Sequence, residues 1–315
     1  MITYPNAKIN IGLLIVDRRN DGYHDLETVF YPIPLHDVLE IVPAATVSLT
    51  CHGRTVDCPV EQNLVFKAWK LMHDRHGVPE CEIHLYKHIP DGAGLGGGSS
   101  DASFTLMMLN EMFNVGLDSQ ALAALAVTLG ADCPFFVYNK PMLAGGIGDR
   151  LTPLQATLSG YTMLLVKPHV HVSTREAYAG VSLMSKYGAV TPGTWVDVVE
   201  GDYDRTVFYN YFDLADFDKL VSHDVACAMS VTPLPIFLRL PLFEWSRFVV
   251  NEFERTVFAA HPVLTQVKQR LTDAGAVYAA MTGSGSALYG IFDNDNMAEK
   301  AREYFTDCDT FVMKL

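Results

Sequence analysis

The sequence predicts helices mixed with antiparallel, half-wet strands rather than a doubly wound parallel sheet. Three observations lead there. Ile83–Ile89 alternates, with Ile83, Leu85 and Ile89 on one face and His84, Tyr86 and His88 on the other, whereas strands of a parallel sheet are covered on both faces and read as unbroken apolar runs. Helical stripes such as Leu122, Leu125 and Leu129 stand between such segments. The chain has 315 residues, 49% of them apolar and 19% charged, enough for a sizeable core in one large domain or in two of roughly 150 residues.

The elements follow in order. Ala7–Ile15 is predicted as a strand with Ile9, Ile11, Leu13 and Ile15 on one face and Lys8, Asn10 and Gly12 on the other. Val38–Val42 and Thr46–Thr50 read as further strands joined at Pro43, and Asn63–His76 reads as a helix. The strand Ile83–Ile89 runs into a glycine loop, Asp91–Ser100, and then a helix through Phe113. Ser119 is expected to cap the next helix, with Gly130 as its stop. Pro153 and the strand Tyr161–Val166 mark a boundary. Beyond it, Gly188–Gly201 reads as loop and Phe243–Ala260 as one helix ended by Pro262. Val263–Ala274 reads as a helix stopped by Gly275. Strands Ala276–Met281 and Leu288–Phe292 flank a second glycine loop, Thr282–Ser286, and Met297–Phe305 is a last helix.

Composition excludes several roles. The formal net charge is −13, which argues against a nucleic-acid partner, because phosphate backbones need a basic surface. It leaves phosphorylated small molecules open, since glycine loops and helix starts hold phosphate without net basic charge. Ile9–Val16 is too short to span a membrane, and no longer uncharged apolar run occurs, so no membrane partner is expected. None of the six cysteines forms C-x-x-C, and a reduced, soluble, cytoplasmic protein is the simplest expectation. The eleven histidines show no H-x-x-x-H or H-E-x-x-H spacing, so zinc is not suggested; His84, His88, His169 and His171 sit at alternating positions expected on strands.

The informative segment is Pro90-Asp-Gly-Ala-Gly-Leu-Gly-Gly-Gly-Ser-Ser-Asp101. Glycines remove Cβ atoms where backbone N–H groups must close on something, and the serines open a helix whose N-terminus carries partial positive charge. An anion, in particular a polyphosphate, fits there. A P-loop is excluded, because Gly98 stands where its lysine belongs. Gly92, Gly94 and Gly97 satisfy G-x-G-x-x-G with Glu111 about 20 residues on, but the half-wet strand before them is not that of a dinucleotide fold.

This segment resembles the second motif of the galactokinase, homoserine kinase, mevalonate kinase and phosphomevalonate kinase superfamily. Ala7-Lys8-Ile9-Asn10 resembles its first motif and Met281-Thr-Gly-Ser-Gly-Ser-Ala287 its third. Within the superfamily, three stretches look like the signature of the family that phosphorylates 4-diphosphocytidyl-2-C-methyl-D-erythritol: Arg18-Arg-Asn-Asp-Gly-Tyr-His-Asp-Leu-Glu-Thr28, Glu61-Gln-Asn-Leu64 and Gly130-Ala-Asp-Cys-Pro-Phe135. The motifs run in order from residue 7 to residue 287, and residues from about 185 to 245 depart from the pattern.

The resemblance implies an α+β protein of two domains, a ribosomal-protein-S5-like nucleotide domain over residues 1–155 and a ferredoxin-like substrate domain over 156–315, with the site in the cleft between them. It implies transfer of the ATP γ-phosphoryl group to a hydroxyl, with Mg²⁺ accompanying the nucleotide. Asp132 is the candidate base, and Lys8 the candidate partner that stabilises the transferring group. ATP is expected on Gly92, Gly94, Leu95, Gly96, Gly97, Gly98, Ser99 and Ser100, with Asn63 near the adenine and Ser100 as a candidate Mg²⁺ ligand. The substrate is expected at Asn10, Tyr23, His24, Tyr178, Thr282 and Gly283, with Tyr23 and Tyr178 stacking on opposite faces of cytosine and His24 on its edge. Asn251 and Glu254 resemble a helix start and receive no chemistry. Three rival readings are another kinase of the superfamily acting on an alcohol without cytosine, a nicotinamide-dependent oxidoreductase, and a non-catalytic nucleotide-binding module.

Overall fold

In the computed structural model, residues 1–179 and 234–315 are described. Most of the unaligned stretch, including the loop expected at Gly188–Gly201, lies outside the described residues. The first sheet holds β1 (Ile2–Thr3), β4 (Val38–Pro43), β6 (Cys81–Lys87) and β5 (Ser48–Gly53), in that order. β4 and β6 pair antiparallel, and β5 joins the other side of β6 in parallel. The strands β4 and β5 are therefore not the simple pair that Pro43 suggested; β6 lies between them. A parallel partner needs a crossover, and α1 (Leu64–His76) supplies it.

α1 begins where Asn63 accepts a hydrogen bond from the N–H of Val65 at 2.9 Å and ends at Gly77 with φ +67°, an amide cap at one end and a left-handed glycine at the other. α2 (Gly97–Met112) lies beside it. Val65, Ala68 and Met72 of α1 pack with Ala102, Leu106 and Leu109 of α2 against Leu39, Ile41, Ile83 and Leu85. Each fully buried valine, leucine, isoleucine or methionine among them contributes about 1.5–3 kcal/mol. α3 (Ser119–Ala126) is capped by Asp118, which accepts from Ala121, and not by Ser119; it ends before Leu129. α4 (Cys133–Tyr138) follows.

The second sheet is a long ribbon of β2 (Asn6–Arg18) and β3 (His24–His36), extended by the hairpin β7 (Met142–Gly145) and β8 (Arg150–Pro153). The third is fully antiparallel in the order β12-β9-β11-β10, from β9 (Thr162–Pro168), β10 (Tyr278–Met281), β11 (Leu288–Phe292) and β12 (Cys308–Lys314). The short helix α5 (Thr174–Ala179) follows β9. α6 (Phe253–Ala260) and α7 (Pro262–Asp273) lead to β10, and α8 (Asp295–Arg302) leads from β11 to β12. With α7 and α8 as its crossovers, this sheet has the β-α-β-β-α-β connectivity of a ferredoxin-like unit.

Two opposite faces of β9 explain its unbroken apolar run. Leu164 and Val166 pack on Phe253, Leu264, Val267 and Ala298 of the helices. Met163 and Leu165 pack toward Ile9, Ile11 and Val29 of the ribbon. One core cluster thus passes from the ribbon into the third sheet. The helix expected over Phe243–Ala260 is broken. Val250 and Glu252 bond to Leu13, Leu13 N–H to Val250 C=O at 2.8 Å and Glu252 N–H to Leu13 C=O at 2.9 Å. His169 and His171 lie beyond the end of β9 and not on a strand.

Candidate active site

The three motifs converge on one hydroxyl. Asn10 lies on β2, and its backbone N–H donates to Thr282 Oγ1 at 3.0 Å; Thr282 Oγ1 in turn donates to the carbonyl of Gly94 at 3.1 Å. Lys8 N–H donates to the Leu95 carbonyl at 2.9 Å. The two glycine loops meet backbone to backbone. A Cβ on Gly94, which has φ +74°, would lie 2.1 Å from the carbonyl oxygen of Thr282. Only glycine permits that approach, and it fixes loop Thr282–Ser286 against the end of the first loop.

Lys8 is 3% exposed, so its ammonium must be paired. Its Nζ donates to Asn10 Oδ1 at 2.6 Å and lies 3.3 Å from Asp132 Oδ2. It also sits 4.7 Å from the ring centre of Phe30, a cation–π contact. Asn10 is fixed from its other end, because its Nδ2 donates to Thr28 Oγ1 at 3.0 Å. Asp132 occupies the residue before α4, yet its side chain makes no capping bond and remains about one-third exposed. The carboxylate is thereby turned to the cleft. Ser103 Oγ ties α2 to this turn, donating to the Ser99 carbonyl at 2.9 Å and the Cys133 carbonyl at 2.7 Å. Burial pushes the Cys133 thiol up to about 11, so at neutral pH it stays protonated and is not a nucleophile.

A cleft of about 1330 Å³ runs past these groups. Lys8, Asn10 and Asp132 line it, as do the loop residues Gly92, Gly94, Leu95, Gly96, Gly97, Gly98 and Ser99. Gly283 lines it from the second loop, and Tyr23, His24 and Tyr178 line its aromatic end. A helix start and glycine backbone here face a buried ammonium paired with a part-exposed carboxylate.

Three sequence-predicted residues do not reach the cleft wall. Thr282 is fully buried, its hydroxyl spent on Asn10 and Gly94. Asn63 is 7% exposed and caps α1, while Leu64 beside it does line the cleft. Ser100 is fully buried in the first turn of α2, and its Oγ has no hydrogen-bond partner. α2 itself starts at Gly97 behind Gly96, so the serines sit inside the first turn and not at the cap.

At the aromatic end the His24 ring stacks on Tyr178, with centroids 4.9 Å apart and planes 20° apart. Tyr23 is 62% exposed. Tyr178 is backed by the edge of Phe253 at 4.8 Å. Burial, with Arg18 adding to it, lowers the His24 pKa, which favours a neutral imidazole able to donate and accept. Phe30 and Phe253 were missed by the sequence reading, as was Gly148, whose Cβ position would lie 3.7 Å from Asp132 Oδ1. The turn Gly146-Ile-Gly148 between β7 and β8 was the available signal for the last.

Among the described residues there is no cluster of three or more histidine, cysteine, aspartate or glutamate side chains able to hold a metal, and no helix is long and apolar enough to cross a membrane. Residues 63–140 match the family described as GHMP kinases N terminal domain, and residues 241–308 match GHMP kinases C terminal. The chain is 42% identical to a 4-diphosphocytidyl-2-C-methyl-D-erythritol kinase of Parabacteroides distasonis, over 98% of this chain and 97% of that protein. It is 42% identical to the protein of the same name from Bacteroides thetaiotaomicron, over 93% and 92%. A crystal structure of 4-(cytidine 5'-diphospho)-2C-methyl-D-erythritol kinase superposes with a TM-score of 0.69 at 30% identity, covering 99% of this chain and 98% of that one. Homoserine kinase from Cytophaga hutchinsonii shares the fold, with a TM-score of 0.56 at 17% identity. The converging motifs and these likenesses agree: this chain belongs to the 4-diphosphocytidyl-2-C-methyl-D-erythritol kinase family of the GHMP kinases.

Proposed function

We infer that the protein transfers the γ-phosphoryl group of ATP to a hydroxyl of 4-diphosphocytidyl-2-C-methyl-D-erythritol, a step in the non-mevalonate route to isoprenoid precursors. The observation that carries this is the Lys8–Asp132 pair at 3.3 Å, in one cleft with a glycine loop at a helix start and with the His24–Tyr178 aromatic pair.

In this reading the triphosphate lies along Gly92–Ser99, where backbone N–H groups and the start of α2 favour negative charge. Asp132 accepts the proton of the attacking hydroxyl. The Lys8 ammonium stabilises the charge of the group in transit, in a site from which water is largely displaced. Asn10 orients Lys8 through the 2.6 Å bond and adds its own polar edge. His24, Tyr23 and Tyr178 receive cytosine, with stacking and edge recognition combined. Gly283 and its loop close the acceptor side. Thr282 and Asn63 support these surfaces from behind. Ser100 Oγ, the candidate Mg²⁺ ligand, is partnerless but buried behind the cleft wall, so it does not fit the ion directly; Mg²⁺ bound with the nucleotide would supply charge neutralisation to the phosphates.

The division into a nucleotide domain over 1–155 and a substrate domain over 156–315 belongs to the same reading, supported by the change from the ribbon and helices to the ferredoxin-like sheet. A cytoplasmic enzyme is supported by six cysteines without a C-x-x-C pair.

An acceptor panel tests the substrate. ADP release is measured with 4-diphosphocytidyl-2-C-methyl-D-erythritol, homoserine and mevalonate. Turnover is expected with the first alone. Turnover only with an acceptor lacking cytosine would replace this reading with that of another GHMP kinase.

A further inference from the structure

Behind the glycine loop lies a charged cluster that the chemistry above does not use. Lys87, the last residue of β6, donates through Nζ to Asp37 Oδ2 and, at 2.7 Å, to Asp101 Oδ2. All three side chains are at most 7% exposed. Placing three charges in an interior is costly, and well-packed apolar residues would serve stability as well or better. Their arrangement shows what they connect. Asp37 stands between β3 and β4, and its second oxygen accepts the backbone N–H groups of His88 at 2.5 Å and Ile89 at 2.8 Å. These two residues lead the chain into the glycine loop. Asp101 lies in the first turns of α2, where the chain leaves that loop. Gly97, the first residue of α2, backs onto the ammonium itself; a Cβ there would be 3.3 Å from Lys87 Nζ. The incoming and outgoing arms of the loop are thus tied to one nitrogen atom.

We propose that Asp37, Lys87 and Asp101 form a clasp that sets the width of the phosphate-binding loop, with Lys87 and Asp101 as positioning residues for ATP. The proposal rests on the reading of Gly92–Ser99 as the triphosphate seat. Backbone N–H groups stabilise a phosphate only if they are already aimed at it, because reorganising them after binding would consume the gain. A loop containing five glycines has little stiffness of its own, so its aim must come from its two ends. The ends are fixed through ionic hydrogen bonds, which are shorter and more directional than neutral ones. Asp101 Oδ1 has no hydrogen-bond partner, so the carboxylate is held from one side only, by Lys87.

The double variant Lys87→Met, Asp101→Asn tests this without altering the charge of the cluster, which is −1 before and after because Asp37 remains. Binding of methylanthraniloyl-ATP is titrated with no acceptor present, so the identity of the acceptor does not enter. The clasp predicts a dissociation constant raised about 10-fold or more, and in turnover a raised KM for ATP with the KM for the cytidylyl acceptor within about 2-fold. A folded double variant with wild-type nucleotide affinity overturns the proposal, as does an equal rise in both KM values. If the double variant does not fold, Asp101→Asn alone decides through the sign of its effect. Removing a negative charge behind an anion site tightens ATP binding if charge is all that matters, whereas the clasp predicts weaker binding. Tighter or unchanged binding overturns the clasp. Failure of the wild-type protein to bind the nucleotide overturns the seat and the clasp together.

Discussion

Asp132→Ala is expected to lower kcat by about 10²-fold or more while the affinity for ATP stays close to that of the wild-type protein. The size follows from the role. A hydroxyl attacks a phosphoryl group poorly unless its proton has a place to go, and among the groups lining the cleft Asp132 is the carboxylate next to Lys8. The affinity follows from position. Asp132 stands before α4, outside the glycine loop, and makes no capping bond whose loss would unwind that helix. Stopped-flow or steady-state turnover with ATP and the cytidylyl acceptor separates the two parameters. Normal kcat in the variant removes Asp132 from the chemistry. A large loss of ATP affinity with intact kcat reassigns it to binding.

Lys8→Met carries the second large effect, a fall in kcat of about 10²–10³-fold. Methionine keeps the length and the packing against Phe30 and Gly96 and removes the charge. In the wild-type site the ammonium is shared by Asn10 Oδ1 at 2.6 Å and Asp132 Oδ2 at 3.3 Å. It is therefore fixed before substrates arrive, and it spends no energy reorganising as charge builds on the transferring group. Because Lys8 is buried at the root of β2, the thermal midpoint is measured beside kcat. A fall in kcat with the midpoint and the KM for the acceptor nearly unchanged is the expected pattern. Unchanged kcat contradicts the role.

The sequence made some of this legible and hid the rest for physical reasons. β2 showed its strand period, and its Lys8–Asn10 face was readable as polar. What alternation could not show is that this face is also buried, covered by the glycine loop through the Lys8–Leu95 and Asn10–Thr282 bonds. α1 and α2 read as helices, but their starts did not: Asn63, expected near the adenine, caps α1, and Gly96 instead of a serine precedes the first turn of α2. β3 did not read as a strand because Pro32 and Pro34 interrupt it. Its neighbour β7 pairs only with Thr28–Phe30, so beyond Phe30 one side of β3 has no ladder bond for proline to break. β12 lies at the edge of its sheet, where Asp309 and Lys314 are tolerated and the apolar pattern weakens. The single helix expected from Phe243 failed because tertiary bonds to Leu13 outweigh local propensity at Val250–Glu252.

Asn251 shows the same limit at the site itself. It received no chemistry from its sequence context, yet its buried Nδ2 donates to the carbonyls of Met281 and Gly283, each at 2.8 Å, while its Oδ1 accepts from the Phe253 N–H at 3.0 Å. One amide therefore holds the incoming arm of the second glycine loop to the start of α6. No spacing rule connects residue 251 with residue 283; only the fold does. Conversely, Tyr23 and His24 were readable as a pair, but which ring meets Tyr178 depends on the path of the turn, and the structure gives that contact to His24.

A crystal structure of the protein with a non-hydrolysable ATP analogue and the cytidylyl acceptor is the most direct measurement of the whole scheme. The triphosphate is expected along Gly92–Ser99, cytosine against His24 and Tyr178, and a hydroxyl of the acceptor within hydrogen-bond reach of Asp132. A triphosphate seated elsewhere, or an Asp132 carboxylate turned out of the cleft in the ternary complex, would contradict it.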